Sequence, residues 1–272
     1  MGMSVNTNVG AMAALQSLNQ TTKGLATTQS RINTGLNVAS TKDDSASYTI
    51  AQTLRGDLGG LKAVGSSLSR SKSTVDVAVA GAEQVSDLVN QMKAKAIEAA
   101  DEGIDTDSRA AIGKDFSALK DQINTIIDSS TFNGTNLLKA AGGNVKALQS
   151  TDMAASTLSV DNQDFTAVVT AIGATFTDAA TAKTMVGTLD TQAKAINSKL
   201  STLGSASRKI DGQSSFVSKL SDAIEGGIGN LVDADLAKES AKLQALQVKQ
   251  QLGVQALSIA NQAPQSIMSL FR

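Results

Sequence analysis

Apolar residues recur at every seventh position over two long stretches of the chain. In the first, the series runs Leu54, Leu61, Leu68, Val75, Ala82, Val89, Ala96. A companion stripe opens at Leu58, returns at Val79 and is broken by Gly65, Lys72 and Ser86. In the second, the series runs Ala182, Leu189, Ile196, Leu203, Ile210, Val217, Ile224. Val186, Ala193 and Leu200 accompany it before Ser207 and Ser214 turn that companion polar. A seven-residue spacing keeps one seam of a helix facing a partner, so both stretches predict long amphipathic helices packed as in a coiled coil. About 50 residues of helix would be roughly 75 Å long, a rod and not a globule.

The N-terminus carries the same signature: Leu18, Leu25 and Ile32 fall seven apart, with Met12 and Leu15 nearby. The pattern predicts a helix over 5–33, a loop over 34–43 and a long helix from 44 to about 100. Ser40 and Thr41 stand three residues before Asp43 and Asp44, capping-box spacing for the start of that long helix. Asp101 to Asp107 reads as a turn. A helix over 108–128 then places Ile112, Phe116, Leu119, Ile123 and Ile126 on one face. Asn133-Gly134 and Gly142-Gly143-Asn144 are turn signals. The alternating Thr157-Leu-Ser-Val160 and the β-branched Phe165-Thr-Ala-Val-Val-Thr170 predict one or two hairpins in an insert over about 131–177. Helical periodicity resumes near 178 and runs to about 225, where Gly226-Gly227-Ile228-Gly229 predicts a break. A last helix, from near Asp233 to about Ala263, is expected to end at Pro264 or soon after.

The fold class is therefore mainly α: a long antiparallel coiled-coil-like helical hairpin or bundle with a small β-hairpin insert and paired N- and C-terminal helices. Residues 1–43 plus 230–272 are expected to form a terminal-helix domain, and 44–229 a helical rod carrying the insert at or near its far end. Leu54, Leu61, Leu68, Val75, Val89, Leu189, Ile196, Leu203, Ile210 and Val217 are the expected packing residues of the rod.

The last helix is apolar on several faces. Leu236, Leu243 and Leu257 form one stripe, interrupted by Gln250; Leu246, Ala260 and Ile267 form a second; Val248, Leu252 and Ile259 form a third. One partner helix cannot cover so much of the circumference. Apolar stripes left exposed mark association, so the pattern favours self-association over a chain that folds both ends into its own bundle.

Composition narrows the chemistry. The 272 residues are 41% hydrophobic but only 3% aromatic, with six Phe, Tyr48 and no Trp, which suits helix-on-helix packing. Lys and Arg number 24 against 25 Asp and Glu, so no positive excess is present to hold a nucleic acid. Histidine and cysteine are absent, removing the commonest general base, the commonest metal ligands and every thiol nucleophile. No secretory signal peptide is visible in residues 1–19, and no apolar run is long enough to insert in a membrane. Asp43 and Asp44 point about 100° apart on a helix, so capping explains them better than a metal or acid–base pair. The acidic turn at 101–107 lacks the glycine and closing glutamate of a calcium loop. No phosphate-binding glycine string or nucleophile elbow occurs. Tyr48 reads as core packing near a helix start. No catalytic, cofactor-binding or metal residue is assigned, no cofactor is expected, and the chain reads as a non-enzyme.

Both ends carry a family resemblance. The stretch Arg31-Ile-Asn-Thr-Gly-Leu-Asn-Val-Ala-Ser-Thr-Lys-Asp-Asp-Ser45 closely resembles the loop of bacterial flagellins between the terminal helix and the first long helix. The run Leu252-Gly-Val-Gln-Ala-Leu-Ser-Ile-Ala-Asn-Gln-Ala-Pro-Gln-Ser-Ile-Met-Ser-Leu-Phe-Arg272 resembles the family's ending, and Thr131-Phe-Asn-Gly134 its turn after the third helix. The resemblance covers about 1–139 and 178–272, and its style is that of short alphaproteobacterial flagellins.

The resemblance implies a structural subunit that polymerises into the bacterial flagellar filament for swimming motility and leaves the cell unfolded by the flagellar type III route. That route needs no signal peptide, so the expected location is the extracellular filament. The implied partners are other flagellin subunits, flagellar hook-associated and cap proteins, an export chaperone and the type III export apparatus. The implied filament-core interface is Leu15, Leu18, Leu25, Ile32, Leu236, Leu243, Leu246, Leu252, Leu257, Ile267, Leu270 and Phe271. Asn90-Gln-Met-Lys-Ala-Lys-Ala-Ile-Glu98 lacks the Arg–Leu features at which the animal flagellin-sensing receptor binds, so weak or no stimulation is expected. The short insert implies a comparatively smooth filament surface, and Ser and Thr within 150–177 are candidate O-glycan carriers. A hook–filament junction protein and, less well matched, a secreted coiled-coil adhesin are the alternatives.

Overall fold

The computed structural model describes residues 7–152, 157–173 and 175–270, with 263–270 as helical backbone. The elements in chain order are α1 (Val9–Thr34), α2 (Ser45–Ala99), α3 (Thr106–Ser129), β1 (Val145–Ala147), β2 (Leu158–Val160), α4 (Phe165–Ala171), α5 (Ala179–Val232) and α6 (Leu236–Leu270). The mainly α architecture, the small antiparallel sheet and the pairing of the terminal helices follow the sequence pattern. Residues up to Gly56 together with those from Ala223 onward form one compact unit, and Asp57–Asp222 a second.

In the second unit α2 and α5 run antiparallel along their heptad seams. Leu61, Leu68, Val75, Ala82, Val89 and Ala96 are buried on α2, as are Ala182, Leu189, Ile196, Leu203, Ile210 and Val217 on α5. Ion pairs beside the seam mark its direction. Lys72 meets Asp211 at 3.4 Å, Lys93 meets Asp190 at 2.5 Å and Lys183 meets Glu102 at 2.8 Å. These pairs are half-exposed or exposed, so each contributes little energy and mainly fixes alignment. α3 turns back after a short loop whose carbonyls are gathered by Arg109. Its Nε donates to Ala99 O at 2.9 Å, and its Nη2 donates to Asp101 O at 2.8 Å and Ile104 O at 3.2 Å. Asp105 caps α3 by accepting from Ser108 N at 2.6 Å. Ile112, Phe116, Ile123 and Ile127 form the buried face of α3, and the Phe116 ring meets Phe176 edge-on with centroids 5.2 Å apart.

The insert packs lengthwise on α2. Leu148 N donates to Ser67 Oγ at 3.2 Å, and a side chain at Gly81 would sit 2.3 Å from Ser130 Oγ and 2.9 Å from Leu138 Cδ1. Small residues on α2 are thus what lets the insert approach. Within the insert, β1 pairs with β2 in the register Val145 with Val160 and Ala147 with Leu158. Buried Asn136 donates to Ile127 O at 2.6 Å while its oxygen accepts from the amides of Leu138 and Lys139. Asn162 Nδ2 then donates to Asn136 O and Lys139 O, each at 2.9 Å. Side-chain amides here do the work that a longer ladder would do in a larger sheet.

Four expectations are corrected. Phe165-Thr-Ala-Val-Val-Thr170 is helix α4, not a strand. Asp164 caps it through Ala167 N, and Phe165, Val168 and Val169 are buried at helical spacing, so burial overrides β-branched propensity. The glycines at 226, 227 and 229 do not break the helix, since α5 continues to Val232. Each glycine costs about 1 kcal/mol relative to Ala, but Ile228 and Val232 bury against Val38 and Ala51, with Tyr48 and Leu54 packed around them. Ser40 and Thr41 do not cap α2. Asp44 does, accepting from Ala46 N at 3.0 Å and Ser47 N at 3.2 Å, while Asp43 closes the preceding turn on Ser40. Finally, α6 passes through Pro264 to Leu270. The Ala260 carbonyl, which Pro264 leaves without its helical amide, accepts from the Asn8 side chain at 2.7 Å.

Candidate assembly interface

The chemistry-bearing part of the first unit is the α1–α6 pair. α1 is capped by Asn8, whose side chain accepts from Ala11 N at 3.0 Å, and it ends at Gly35 with φ +70°, a left-handed cap. α6 is capped by Asp235, which accepts from Lys238 N at 3.1 Å. The loop between α1 and α2 and the link between α5 and α6 are tied by backbone bonds. Asn37 N and Val38 N donate to Val232 O, and Ala234 N donates to Gly35 O at 2.9 Å.

Contacts at four levels place α1 and α6 in one antiparallel register: Asn8 with Ala260, Leu18 with Gly253, Gly24 with Leu246, and Arg31 with Glu239. At the two glycines a leucine side chain of the other helix rests on the backbone: a Cβ on Gly24 would lie 3.6 Å from Leu246 and one on Gly253 3.3 Å from Leu18. Leu18, Leu25, Ile32, Leu243, Leu246 and Leu257 are half-buried in this pairing. Leu15, Leu236 and Leu252 are exposed, together with Val9, Met12, Val248, Val254 and Ile259; the last is 68% exposed. The side chains of Ile267, Leu270 and Phe271 lie outside the described residues. Of the expected rod residues, Leu61, Leu68, Val75, Val89, Leu189, Ile196, Leu203, Ile210 and Val217 are buried, and Leu54 packs half-buried beside Tyr48.

The only described residues of the pair that are buried are polar: Thr28 and Glu239. Arg31 Nη1 donates to Glu239 Oε1 at 3.3 Å, and Lys242 Nζ stands 3.8 Å from the same oxygen. Burial pushes the Glu239 carboxyl up, but the Arg31 guanidinium, the Thr28 hydroxyl and the Lys242 charge together outweigh it and hold the group below its ordinary value. The Thr28 hydroxyl faces the carboxylate outside ideal hydrogen-bond geometry, and Arg31 Nε and Glu239 Oε2 have no hydrogen-bond partner among the described residues. Sequence reasoning named neither Thr28 nor Glu239. The signal was present: Glu239 falls between Leu236 and Leu243 at three- and four-residue spacing, a charge inside an apolar seam. Asn8 and Arg109 were missed for a different reason, because both act on backbone groups that no side-chain pattern marks. Among the described residues no cluster of three acidic groups converges to hold a metal, and no helix is long and apolar enough to cross a membrane.

The α1–α6 pair thus joins two distant segments of the chain, buries Thr28 and Glu239, and leaves its leucines half-buried or exposed. Comparison with known proteins gives the family. Residues 5–143 match the bacterial flagellin N-terminal helical region, and 186–271 match the bacterial flagellin C-terminal helical region. The chain is 46% identical over 269 residues to flagellin FljK of Caulobacter vibrioides, covering 99% of this chain and 98% of that one. It is 36% identical over 291 residues to a flagellin of Brucella melitensis, covering 99% of each. The crystal structure of Bacillus cereus flagellin superposes with a TM-score of 0.50 at 25% identity, over 54% of this chain and 86% of that one. The chain belongs to the bacterial flagellin family.

Proposed function

We propose that this chain polymerises with copies of itself into the extracellular flagellar filament that drives swimming. On this reading it is exported unfolded by the flagellar type III route and has no enzymatic role. One observation carries the proposal: α1 and α6 pair in a definite register, yet bury no described apolar side chain fully and expose several large ones. Burial contributes roughly 25 cal/mol per Å² of apolar surface. A pair that leaves Leu15, Leu236, Leu252 and Ile259 in water therefore gains most of its stabilisation only when neighbouring copies cover them. Head-to-tail contacts that do not close extend into a helical polymer.

The inner core of the filament would then be built from residues 1–43 and 230–272, and the next shell from 44–229. Leu15, Leu236 and Leu252 would contact neighbouring subunits, while Leu18, Leu25, Ile32, Leu243, Leu246 and Leu257 would be completed by them. Ile267, Leu270 and Phe271 join this interface on the family resemblance alone. Hook-associated and cap proteins would bound the polymer, and a chaperone would shield α6 before export. The test is seeded polymerisation of the purified chain, viewed by electron microscopy beside a copy lacking 233–272. Long tubes from the full chain only are expected; discrete rings that do not grow from flagellar seeds would replace this reading with a junction protein.

A further inference from the structure

Pro264 stands inside α6 and has no amide hydrogen to donate to the Ala260 carbonyl four residues back. A helical carbonyl deprived of its partner must find another donor or lose the equivalent of a hydrogen bond. Here the donor comes from the opposite end of the chain: Asn8 Nδ2 reaches Ala260 O at 2.7 Å. The same side chain turns its oxygen the other way and accepts from Ala11 N at 3.0 Å, capping α1. Both halves of one amide are therefore used, one to start α1 and one to repair α6.

We propose that Asn8 is the positioning residue that sets the register of α1 on α6, with Pro264 creating the vacancy that makes Ala260 its single best acceptor. Pro264 is the single proline of the sequence, so the Ala260 carbonyl is the one in the interior of α6 whose residue four positions on has no amide hydrogen, and a slip of one turn would take the Asn8 donor away from it. Leucines recurring at seven-residue spacing can repack one repeat along; the Leu18–Gly253 and Leu246–Gly24 contacts resist a slip only weakly, since a Cβ at either glycine would still sit 3.3 Å or more from the leucine. The clamp thus specifies what the half-buried leucines cannot. It complements the Arg31–Glu239 ion pair at the other end of α1, which stands at 3.3 Å.

The test uses the full chain and needs no filament. Gly253 and Leu18 face one another, and a Cβ built on Gly253 lies 3.8 Å from Leu18 Cβ, the separation a disulfide prefers. The chain has no cysteine, so Leu18→Cys with Gly253→Cys reports the native register alone. The equilibrium of that disulfide against glutathione gives the effective concentration of the two thiols. Asn8→Ser keeps a capping oxygen but cannot reach α6, and should lower the effective concentration about fivefold. Pro264→Ala restores the missing amide; in that background Asn8→Ser should change it less than twofold. If Asn8→Ser abolishes the cross-link outright, recovery by Pro264→Ala supports the clamp and failure to recover overturns it. No effect of Asn8→Ser beside Pro264, or an equal loss in both backgrounds, would reduce Asn8 to a simple cap. Failure of filament growth would count against the proposed function without touching this result.

Discussion

The unit over Asp57–Asp222 and the α1–α6 pair are built from the same heptad grammar and end in opposite states. Along α2 and α5 the seam is dry: Leu68, Leu189, Ile196 and Leu203 have no exposed surface. Along α1 and α6 the seam is closed by Thr28 and Glu239, while the leucines remain half in water. The difference lies in the number of partners. α2 and α5 are flanked by α3 and the insert within the chain, whereas among the described residues α1 and α6 pack chiefly on one another. A two-helix pair cannot pack leucine on all sides, and its buried charge gives specificity more than stability. One part of the chain is therefore finished within the chain, and on the proposed function the other would be finished by assembly.

That contrast can be broken by mutation. The largest effect on the free chain should come from the dry seam. Leu68→Ala or Leu203→Ala should cost about 3 kcal/mol and Phe116→Ala about 4, read as lowered urea midpoints. Next is Gly81→Ala, whose methyl would be driven against Ser130 and Leu138; a cost of about 1–3 kcal/mol is expected from overpacking. Glu239→Ala should weaken filaments by about 1–3 kcal/mol, because Arg31 is left without its partner, and this is read as a raised critical concentration. Leu252→Ser should shift the urea midpoint of the free chain by less than about 0.5 kcal/mol, since the side chain is already exposed, and should still abolish polymerisation.

Acid should dissect the regions in the same sense. Glu239 is held below its ordinary value of 4.5 in the folded pair. A carboxylate depressed on folding adds stability at pH values above its unfolded value, and that contribution is lost as pH falls through the folded one. Asp44, Asp105 and Asp178 are depressed likewise, chiefly by hydrogen bonds from Ser47, Ser108 and Thr181. Loosening should therefore begin below pH 4.5 and not in alkali, and Glu239→Gln should flatten the acid limb of filament stability.

Much of the fold was legible because heptads survive burial. The long helices and their order could be read from Leu, Ile and Val spacing. The glycines at 226–229 misled because local helix cost is small beside the burial of Ile228 and Val232, which is a tertiary fact. Phe165–Ala171 misled because β-branched residues suit either a strand or a buried helix face. Pro264 misled because its damage is repaired by Asn8, 256 positions earlier in the chain, at a distance no local pattern spans. In the interface, leucine positions were visible from the start, but periodicity could not say which were half-covered by the partner helix and which stood free. That division depends on the α1–α6 register.

The most direct measurement is amide hydrogen exchange on the full chain, free and in filaments, comparing 9–34 and 236–262 with 61–89. Amides of α2 should be protected in both states, and those of α1 and α6 should gain strong protection only in filaments. Equal protection of α1, α6 and α2 in the free chain would contradict the view that the terminal pair is completed by its neighbours.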